Sequence, residues 1–423
     1  PVRRSDAQVL PVPGLDAFGS QLKGSGERSV STTMAFVRVL SSLAKDKAIG
    51  HRVVPIVPDE ARTFGMEGMF RQLGIYSSVG QRYTPHDADQ IMYYKEDIMG
   101  QILEEGINEA GAMSAWLAAA TSYSTSDYPM VPFYIFYSMF GFQRIGELAL
   151  AAGDSQSRGF LIGATSGRTT LNGEGLQHQD GHSHLLASTI PNCLSYDPTY
   201  AFELAVIIQD GLRRMYAERE NHFYYITTMN ENYPQPAMPE GVEEGIVKGM
   251  YRLHAAQGEP VLRLCGAGSI LREVEAAALL LRSEFNVEAE VWSLTSINEL
   301  QRDGKHIERW NLMNPEKEPR VCFYEQQLST SDAPVVIATD YMKSYAEQLR
   351  SFTPAPFYVL GTDGYGRSDT RSQLRQFFEV SREYIALTAL KALADGGAME
   401  LSEVAIARDK LGIDPNKPDP AYA

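Results

Sequence analysis

The fold class is decided by residues 131–163, which read VPFYIFYSMFGFQRIGELALAAGDSQSRGFLIG. The stretch begins with an aromatic and β-branched run, Val131–Phe136, and ends with a second apolar run, Gly159–Gly163; both predict strands. Further runs of this kind alternate with helical patterns, and they are Val53–Val57, Phe223–Thr228, Val261–Leu264, Val287–Val291, Val335–Ala338 and Tyr358–Leu360. Alternating strands and helices predict an α/β fold whose sheets are mostly parallel and carry helices on both faces.

A chain of 423 residues exceeds one comfortable core and predicts roughly two to three domains. Residues 1–29 are rich in proline and glycine with little periodicity, so we expect a linker there. Regular structure is predicted to start at Ser31, a plausible helix cap. Prolines and glycines interrupt the pattern again near residue 238, where we expect a domain boundary, and they are Pro234, Pro236, Pro239, Gly241 and Gly245.

Composition excludes several classes of protein. Lys+Arg 38 against Asp+Glu 53 gives a net charge of −15, which repels a phosphate backbone, so we expect no nucleic-acid partner. Cys193, Cys265 and Cys322 are odd in number and far apart, which excludes a disulfide framework and predicts a reducing, cytoplasmic location. Met130–Phe142 is too short and interrupted to cross a bilayer, and we see no secretory leader. The start at Pro1 indicates a fragment, a processed product or a renumbered chain.

Polar side chains directly after predicted strands are the first candidates for a site, because ligands of open parallel sheets lie beyond the carboxyl ends of the strands. Asp59 and Glu60 follow one strand, and Tyr137 and Phe140 follow another. The adjacent carboxylates are candidates for an acid and base pair with separated pKa values. The alternative is that Asp59 caps a helix that starts near Arg62.

Glu109 lies in a predicted long, alanine-rich helix that spans Gln101–Ala120. Helical spacing places it on one face with apolar residues, namely Ala112, Met113, Trp116 and Ala120. A carboxylate on such a face is desolvated and suited to sharing a proton with a ring nitrogen of a ligand. The alternative is that Glu109 lies at a helix start and reaches water, or pairs with an arginine.

A histidine-rich loop, LQHQDGHSH at 176–184, follows the strand at Gly159–Gly163. Its spacing matches no zinc pattern such as HExxH, so proton transfer or substrate binding is the favoured role, and some of these histidines satisfy backbone groups. Gly266–Ser269 is an incomplete dinucleotide motif and is better explained as a tight turn between strand and helix. Asp363–Asp369 is predicted to be a turn-rich surface loop at a partner face.

Five longer motifs carry a family resemblance. They are PDEARTFGMEG at 58–68, EGINE at 105–109, YSMFGFQR at 137–144, TSGRTTLNGEGLQH at 165–178 and DGHSH at 180–184. Together they resemble the homodimeric pyruvate dehydrogenase component of bacterial pyruvate dehydrogenase complexes, a thiamine-diphosphate enzyme family of the transketolase superfamily. The similarity extends from about residue 31 to the C-terminus.

The resemblance implies a map of the chain. Residues 30–238 would be the pyrimidine-binding domain and residues 239–423 a transketolase C-terminal-like domain that serves dimer packing, each built on a doubly wound sheet. Residues 1–29 would link to an N-terminal domain that this chain lacks. In the family that domain binds the diphosphate and Mg²⁺ through a Gly-Asp-Gly motif, so the ligands of the magnesium ion are expected outside this chain.

The resemblance also implies roles. Glu109 aligns with the glutamate that protonates the aminopyrimidine ring of thiamine diphosphate, and Phe140 would stack on that ring. Tyr137 and His178 would line the substrate end, with His178 binding pyruvate or moving protons during acetyl transfer to the lipoyl domain of dihydrolipoyl acetyltransferase. Asp59 and Glu60 would lie near the reacting centre.

Two other functions stay open. The chain alone can be an inactive dimerisation and assembly module, or it can belong to another enzyme of the superfamily, such as a transketolase or a 2-oxoglutarate dehydrogenase.

Overall fold

The computed structural model describes residues 8–58, 61–86, 88, 94–258 and 260–423. The chain divides into two compact units. The first contains the chain up to Ser166 together with Leu185–Ser195 and Tyr200–Pro239. The second contains Gly167–His184, Tyr196–Thr199 and Glu240–Ala423.

Among the residues that the structure describes before position 240 there are ten strands: β1 Ser29–Val30, β2 Val53–Val57, β3 Ile75–Tyr76, β4 Glu96–Asp97, β5 Leu103–Glu104, β6 Val131–Tyr137, β7 Phe160–Ala164, β8 Cys193–Tyr196, β9 Phe223–Thr228 and β10 Tyr233–Pro234. Six of them form one sheet in the order β5-β2-β6-β7-β9-β8. The pairs β5·β2, β2·β6, β6·β7 and β7·β9 are parallel, with Val53 opposite Val131 and Leu161 opposite Tyr225. β1 pairs with β10, and β3 with β4, in two small sheets.

Helices accompany this sheet: α1 Gly19–Leu22, α2 Thr32–Lys45, α3 Glu67–Leu73, α4 Glu109–Ala120, α5 Ser122–Thr125, α6 Gly141–Asp154, α7 Ser183–Ala187 and α8 Ala201–Leu212. The predicted cap of α2 is confirmed, because the Ser31 hydroxyl oxygen accepts a hydrogen bond from the backbone N–H of Met34 at 3.1 Å. Within the segment predicted to be a linker, Leu10 and Phe18 are buried, so its described part packs with the first unit.

The described part of the second unit forms five strands: β11 Met250–His254, β12 Arg263–Gly266, β13 Glu290–Leu294, β14 Val335–Ala338 and β15 Phe357–Leu360. They form a sheet in the order β11-β13-β12-β14-β15, parallel except for β11 at one edge. Its helices are α9 Glu243–Lys248, α10 Leu271–Phe285, α11 Ile297–Met313, α12 Phe323–Leu328, α13 Lys343–Glu347, α14 Arg371–Phe377, α15 Arg382–Asp395 and α16 Leu401–Lys410. The α/β class with two mostly parallel sheets is thus confirmed.

The strand predicted over Val261–Leu264 lies two residues later, and two other predicted elements differ more from the structure. The helix predicted over Gln101–Ala120 begins only at Glu109, because Leu103 and Glu104 pair with β2 as strand β5. The strand predicted over Val287–Val291 as half-exposed lies at Glu290–Leu294 and is buried throughout. Glu290 tolerates this burial because its carboxylate pairs with Arg252 at 2.8 Å, which compensates its charge.

One hydrophobic core cluster of the first unit lies between the sheet and helices α4 and α6. Trp116 of α4 is fully buried there, and its indole N–H donates to the carbonyl of Phe160 at 3.0 Å. Among the described residues no helix has the length and apolar character needed to cross a membrane.

Candidate active site

Strand β6 presents two aromatic residues at its carboxyl end. Tyr137 is the last residue of the strand, and Phe140 directly precedes helix α6. The Tyr137 ring lies against Phe64 at 5.4 Å and against Phe140 edge-on at 5.9 Å, measured between ring centroids. Gly141 allows the chain to turn here, because a Cβ at this position would come within 2.0 Å of the Phe136 ring. The predicted position of Tyr137 and Phe140 beyond a parallel strand is therefore observed.

Glu109 is the first residue of helix α4. Asn108 caps the helix, since its side-chain oxygen accepts the backbone N–H of Gly111 at 3.1 Å. The positive end of the helix dipole favours a carboxylate at this place. The Glu109 side chain is 14% exposed, and the apolar residues predicted to share its helix are buried, namely Ala112, Met113, Trp116 and Ala120.

Arg144 of α6 connects Glu109 with Phe140. Its guanidinium forms an ion pair with the Glu109 carboxylate and also lies 4.2 Å from the centroid of the Phe140 ring. The structure therefore contains the alternative arrangement that the sequence left open, a helix-start glutamate paired with an arginine. The pair compensates the charge of a mostly buried carboxylate, and it brings Glu109 and Phe140 to the same guanidinium.

Two buried hydroxyl groups lie on β6 and directly after it. Neither the Tyr134 hydroxyl nor the Ser138 hydroxyl has a hydrogen-bond partner among the described residues. Burial raises the pKa of Tyr134, and the nearby negative charge of Glu109 raises it further. Buried polar groups are normally paired, so these two hydroxyls are available to a bound ligand or water.

The side chains of Glu109, Phe140, Tyr134 and Ser138 have the chemical groups needed to bind an aminopyrimidine ring. A carboxylate can hold a ring nitrogen, an aromatic face can stack on the ring, and unpaired hydroxyls can meet its polar edge. Since Arg144 already contacts both Glu109 and Phe140, a bound ring has to share these two residues with the guanidinium or displace it.

His178 lies in the second unit, on the loop between a short 3₁₀ turn at Asn172–Glu174 and helix α7. Its Nδ1 lies 3.7 Å from a carboxylate oxygen of Glu174, and the ring is 21% exposed. Asp180 shapes the loop by accepting the backbone N–H groups of His182 and Ser183, both at 2.9 Å. His178 is thus partly open to solvent beside a carboxylate.

His184 has a different environment from His178, although both belong to the same loop. It is fully buried, stacks on Tyr345 at 5.1 Å and meets Tyr341 edge-on at 5.0 Å. Burial lowers the pKa of His184 to about 4, which keeps the ring neutral. The described residues contain no group of three or more His, Cys, Asp or Glu side chains arranged to hold a metal ion.

Asp340 is a buried residue that the sequence reasoning missed. It is the second residue after β14, and it binds the segment between β7 and the histidine loop. Its carboxylate accepts the N–H of Thr169 at 2.9 Å and the N–H and hydroxyl of Thr170 at 3.2 and 2.8 Å. Burial raises the pKa of Asp340, whereas these hydrogen bonds lower it. Its position after a predicted strand was the available signal, the same one that pointed to Tyr137.

The remaining sequence candidates are placed as follows. Asp59 and Glu60 lie outside the described residues. Gly266–Ser269 forms the tight turn from β12 towards α10, as expected, and the Ser269 hydroxyl lies 2.6 Å from that of Thr170. Arg144 and Tyr134 were not singled out from the sequence, because nothing in their spacing indicates that Arg144 pairs with Glu109 or that the Tyr134 hydroxyl is buried near its charge.

Comparisons with known proteins match the whole chain. The family model of the pyruvate dehydrogenase E1 component middle domain matches residues 10–236, and that of the transketolase-like C-terminal domain matches residues 249–381. The chain is 64% identical to the pyruvate dehydrogenase E1 component of Pseudomonas aeruginosa over 423 residues, covering 99% of this chain and 48% of that protein. It is 58% identical to the Escherichia coli protein of that name over 419 residues, covering 98% and 47%.

Solved structures support the same fold. Transketolase from Leishmania mexicana superposes with a TM-score of 0.67 at 15% identity, covering 90% of this chain and 48% of that one. A split-gene transketolase described as an inactive β4 tetramer has a TM-score of 0.58 at 16% identity, covering 86% and 98%. The chain spans about half the length of the curated relatives it matches. From the two matched family models and the identity to these relatives, the chain belongs to the pyruvate dehydrogenase E1 component family, of which it represents the C-terminal half.

Proposed function

We propose that the chain supplies the pyrimidine side of a thiamine-diphosphate site in an enzyme that decarboxylates pyruvate oxidatively and acetylates the lipoyl group of dihydrolipoyl acetyltransferase. The observation that carries the proposal is the grouping of Glu109, Phe140 and Tyr137 around the carboxyl end of β6. Family membership supports the reaction class.

Each residue of the group has a separate task. Thiamine diphosphate, when bound, supplies the nucleophilic carbon that attacks a 2-oxo acid. Glu109 would hold a proton at a pyrimidine nitrogen, and its low exposure strengthens that hydrogen bond. Phe140 would present its ring face to the pyrimidine, while Tyr137, supported by Phe64, would keep Phe140 in place and border the substrate.

Arg144 sets a condition on this proposal. Its guanidinium contacts Glu109 and Phe140, the two residues that would bind the pyrimidine. When the ring binds, the guanidinium therefore has to move away or to contact the ring itself. With 47% of its side chain exposed, it can rotate towards solvent at little cost in buried contacts.

His178 would act at the substrate end, binding pyruvate or moving protons during acetyl transfer. Its support is a partly exposed imidazole beside the carboxylate of Glu174. We also keep Asp59 and Glu60 as candidates near the reacting centre. Diphosphate and Mg²⁺ would be bound outside this chain, by the N-terminal half that the relatives contain. A homodimer in the cytoplasm is part of the same proposal.

A substrate comparison tests the reaction class. The reconstituted full-length enzyme, with thiamine diphosphate and Mg²⁺, is assayed with pyruvate, 2-oxoglutarate and a ketose phosphate. We expect turnover with pyruvate and acetylation of a lipoyl domain. Preference for 2-oxoglutarate or for the sugar phosphate would replace the proposal with one of the two other superfamily activities.

A further inference from the structure

We propose that the Asp363–Asp369 loop is a positioning element for His178 and that it acts through the buried side chain of Gln179. The inference rests on the proposed role of His178 and extends it to residues of the C-terminal domain. In the structure this loop contacts the chain on both sides of His178, and the partner face that the sequence predicted for it stays a prediction.

His178 belongs to no helix or strand, because it lies in the loop between the 3₁₀ turn Asn172–Glu174 and helix α7. The backbone N–H of His178 donates to the carbonyl of Gly175 at 3.2 Å, a contact within the loop itself. A catalytic imidazole needs a fixed orientation, and a misplacement of about 1 Å can cost roughly 100-fold in rate. Contacts from outside the loop are therefore needed.

Gln179 supplies the first of these contacts. Its side chain is 1% exposed, and its amide binds both backbone groups of one facing residue. The amide oxygen accepts the N–H of Arg367 at 2.7 Å, and the amide nitrogen donates to the carbonyl of Arg367 at 2.6 Å. The same nitrogen donates to the carbonyl of Asn172 at 3.2 Å. The Gln179 amide thus pairs with the Arg367 backbone as a neighbouring strand would, and it also binds Asn172, which precedes the histidine loop.

Three further hydrogen bonds continue this contact. The Ser368 hydroxyl donates to the carbonyl of Gly173 at 2.7 Å, and Arg371 donates to the carbonyl of Thr170 at 2.7 Å. The buried guanidinium of Arg168 donates to the carbonyl of Thr362 at 2.7 Å. The two segments are therefore joined at several points from Arg168 to Gln179.

Gly366 shows how closely the segments approach. A Cβ at this position would lie 2.6 Å from the amide oxygen of Gln179 and 3.1 Å from the Cα of Leu176. Leu176 precedes His178 and Gln179 follows it, so a side chain at position 366 presses on the backbone of Leu176 and on the side chain of Gln179. The Cβ of Gln179 would also lie only 2.9 Å away, so the buried Gln179 side chain has to move and its hydrogen bonds to Arg367 are disturbed.

The test uses the reconstituted full-length enzyme and the rate of acetyl transfer to a lipoyl domain. Gly366→Ala adds the displacing Cβ, and Gln179→Ala removes the amide without adding bulk. We expect both to slow acetyl transfer about tenfold or more, with thiamine-diphosphate affinity unchanged. Gly396→Ala, directly after α15 in the same unit, is the control, because a Cβ at that glycine comes no closer than 3.6 Å to another atom.

A double-mutant cycle with His178→Ala separates positioning from general loosening of the fold. If the loop acts through His178, Gly366→Ala and Gln179→Ala slow the His178→Ala enzyme no further. Full additivity would overturn the proposal, and so would wild-type rates in both single variants. Should Gly366→Ala not fold, Gln179→Ala decides alone.

The proposed role of His178 fails separately from the positioning role. If His178→Ala itself leaves acetyl transfer unchanged, that assignment is wrong and the inference built on it falls too. If His178→Ala is slow and the loop variants are not, only the positioning role is overturned.

Discussion

At the scale of the residue, the sequence predicted which residues share a helix with Glu109, but it did not predict that Arg144 is the partner of its carboxylate. Helical spacing correctly grouped Ala112, Met113 and Trp116 on a buried face, because periodicity alone determines which residues share a helix face. Arg144 is 35 residues away on another helix, and its ion pair depends on how α4 and α6 pack. No local pattern could distinguish between a carboxylate that meets water, a ligand or this arginine.

His178→Ala tests the substrate-end role. Loss of the imidazole removes a proton carrier but leaves the pyrimidine group untouched, so acetyl transfer should slow by at least ~100-fold while thiamine-diphosphate affinity changes little. The measurements are a lipoyl-acceptor assay and a cofactor titration. His306→Ala, an exposed histidine on α11, is the control. Equal losses in rate and affinity would contradict the assignment.

His184 should make stability depend on pH. Its pKa is lowered from 6.5 to about 4 by burial, so the unfolded chain binds a proton between these values and the native protein does not. The free energy of unfolding should therefore fall as the pH drops from 6.5 towards 4, by on the order of 3 kcal/mol. In His184→Phe, which keeps a ring beside Tyr345 and cannot titrate, urea titrations should give a shallower decline. An unchanged slope would refute this.

At the scale of the element, strands were predicted better than helix bounds. Val53–Val57, Phe223–Thr228 and Val335–Ala338 agree with the structure residue for residue, because short buried runs between polar turns leave little freedom. The start of α4 was misplaced by eight residues because Leu103 and Glu104 pair with β2, a contact far away in sequence. Asn108 was the local signal that the helix begins at Glu109.

Trp116→Ala tests how α4 is held against the sheet. The change empties a buried site and removes the hydrogen bond to Phe160, so it should cost about 3–5 kcal/mol. Hydrogen exchange of the slowest amides in β6 and β7 measures this loss. Leu150→Ala removes an exposed side chain from α6 and should leave those amides unchanged. Equal effects of the two substitutions would mean that α4 contributes little to the core.

At the scale of the whole molecule, the sequence predicted an α/β fold with two sheets, and it predicted the family. It did not predict to which compact unit each loop belongs. Gly167–His184 groups with the second unit, although it follows a strand of the first. The reason is physical: Thr169, Thr170 and Gln179 hydrogen-bond to Asp340 and Arg367, which lie more than 160 residues further along. Only the folded chain brings these partners together.

Cofactor binding by the chain alone tests the proposed division of the site, in which this chain supplies the pyrimidine side and an N-terminal half binds the diphosphate. Without an N-terminal half to hold the diphosphate and Mg²⁺, we expect weak or undetectable binding of thiamine diphosphate, measured by calorimetry with magnesium present. The reconstituted full-length enzyme should bind it. Tight binding by the chain alone would show that it holds the diphosphate itself, contrary to the proposed division.

The central claim is that Glu109 holds the pyrimidine ring of thiamine diphosphate, and titrating the cofactor into Glu109→Gln in the full-length enzyme tests it most directly. Glu147→Gln removes the same charge from an exposed position on α6 and serves as the control. The account predicts that Glu109→Gln weakens binding at least tenfold and lowers pyruvate turnover at least ~100-fold, while Glu147→Gln changes neither. Wild-type affinity and turnover in Glu109→Gln would contradict it.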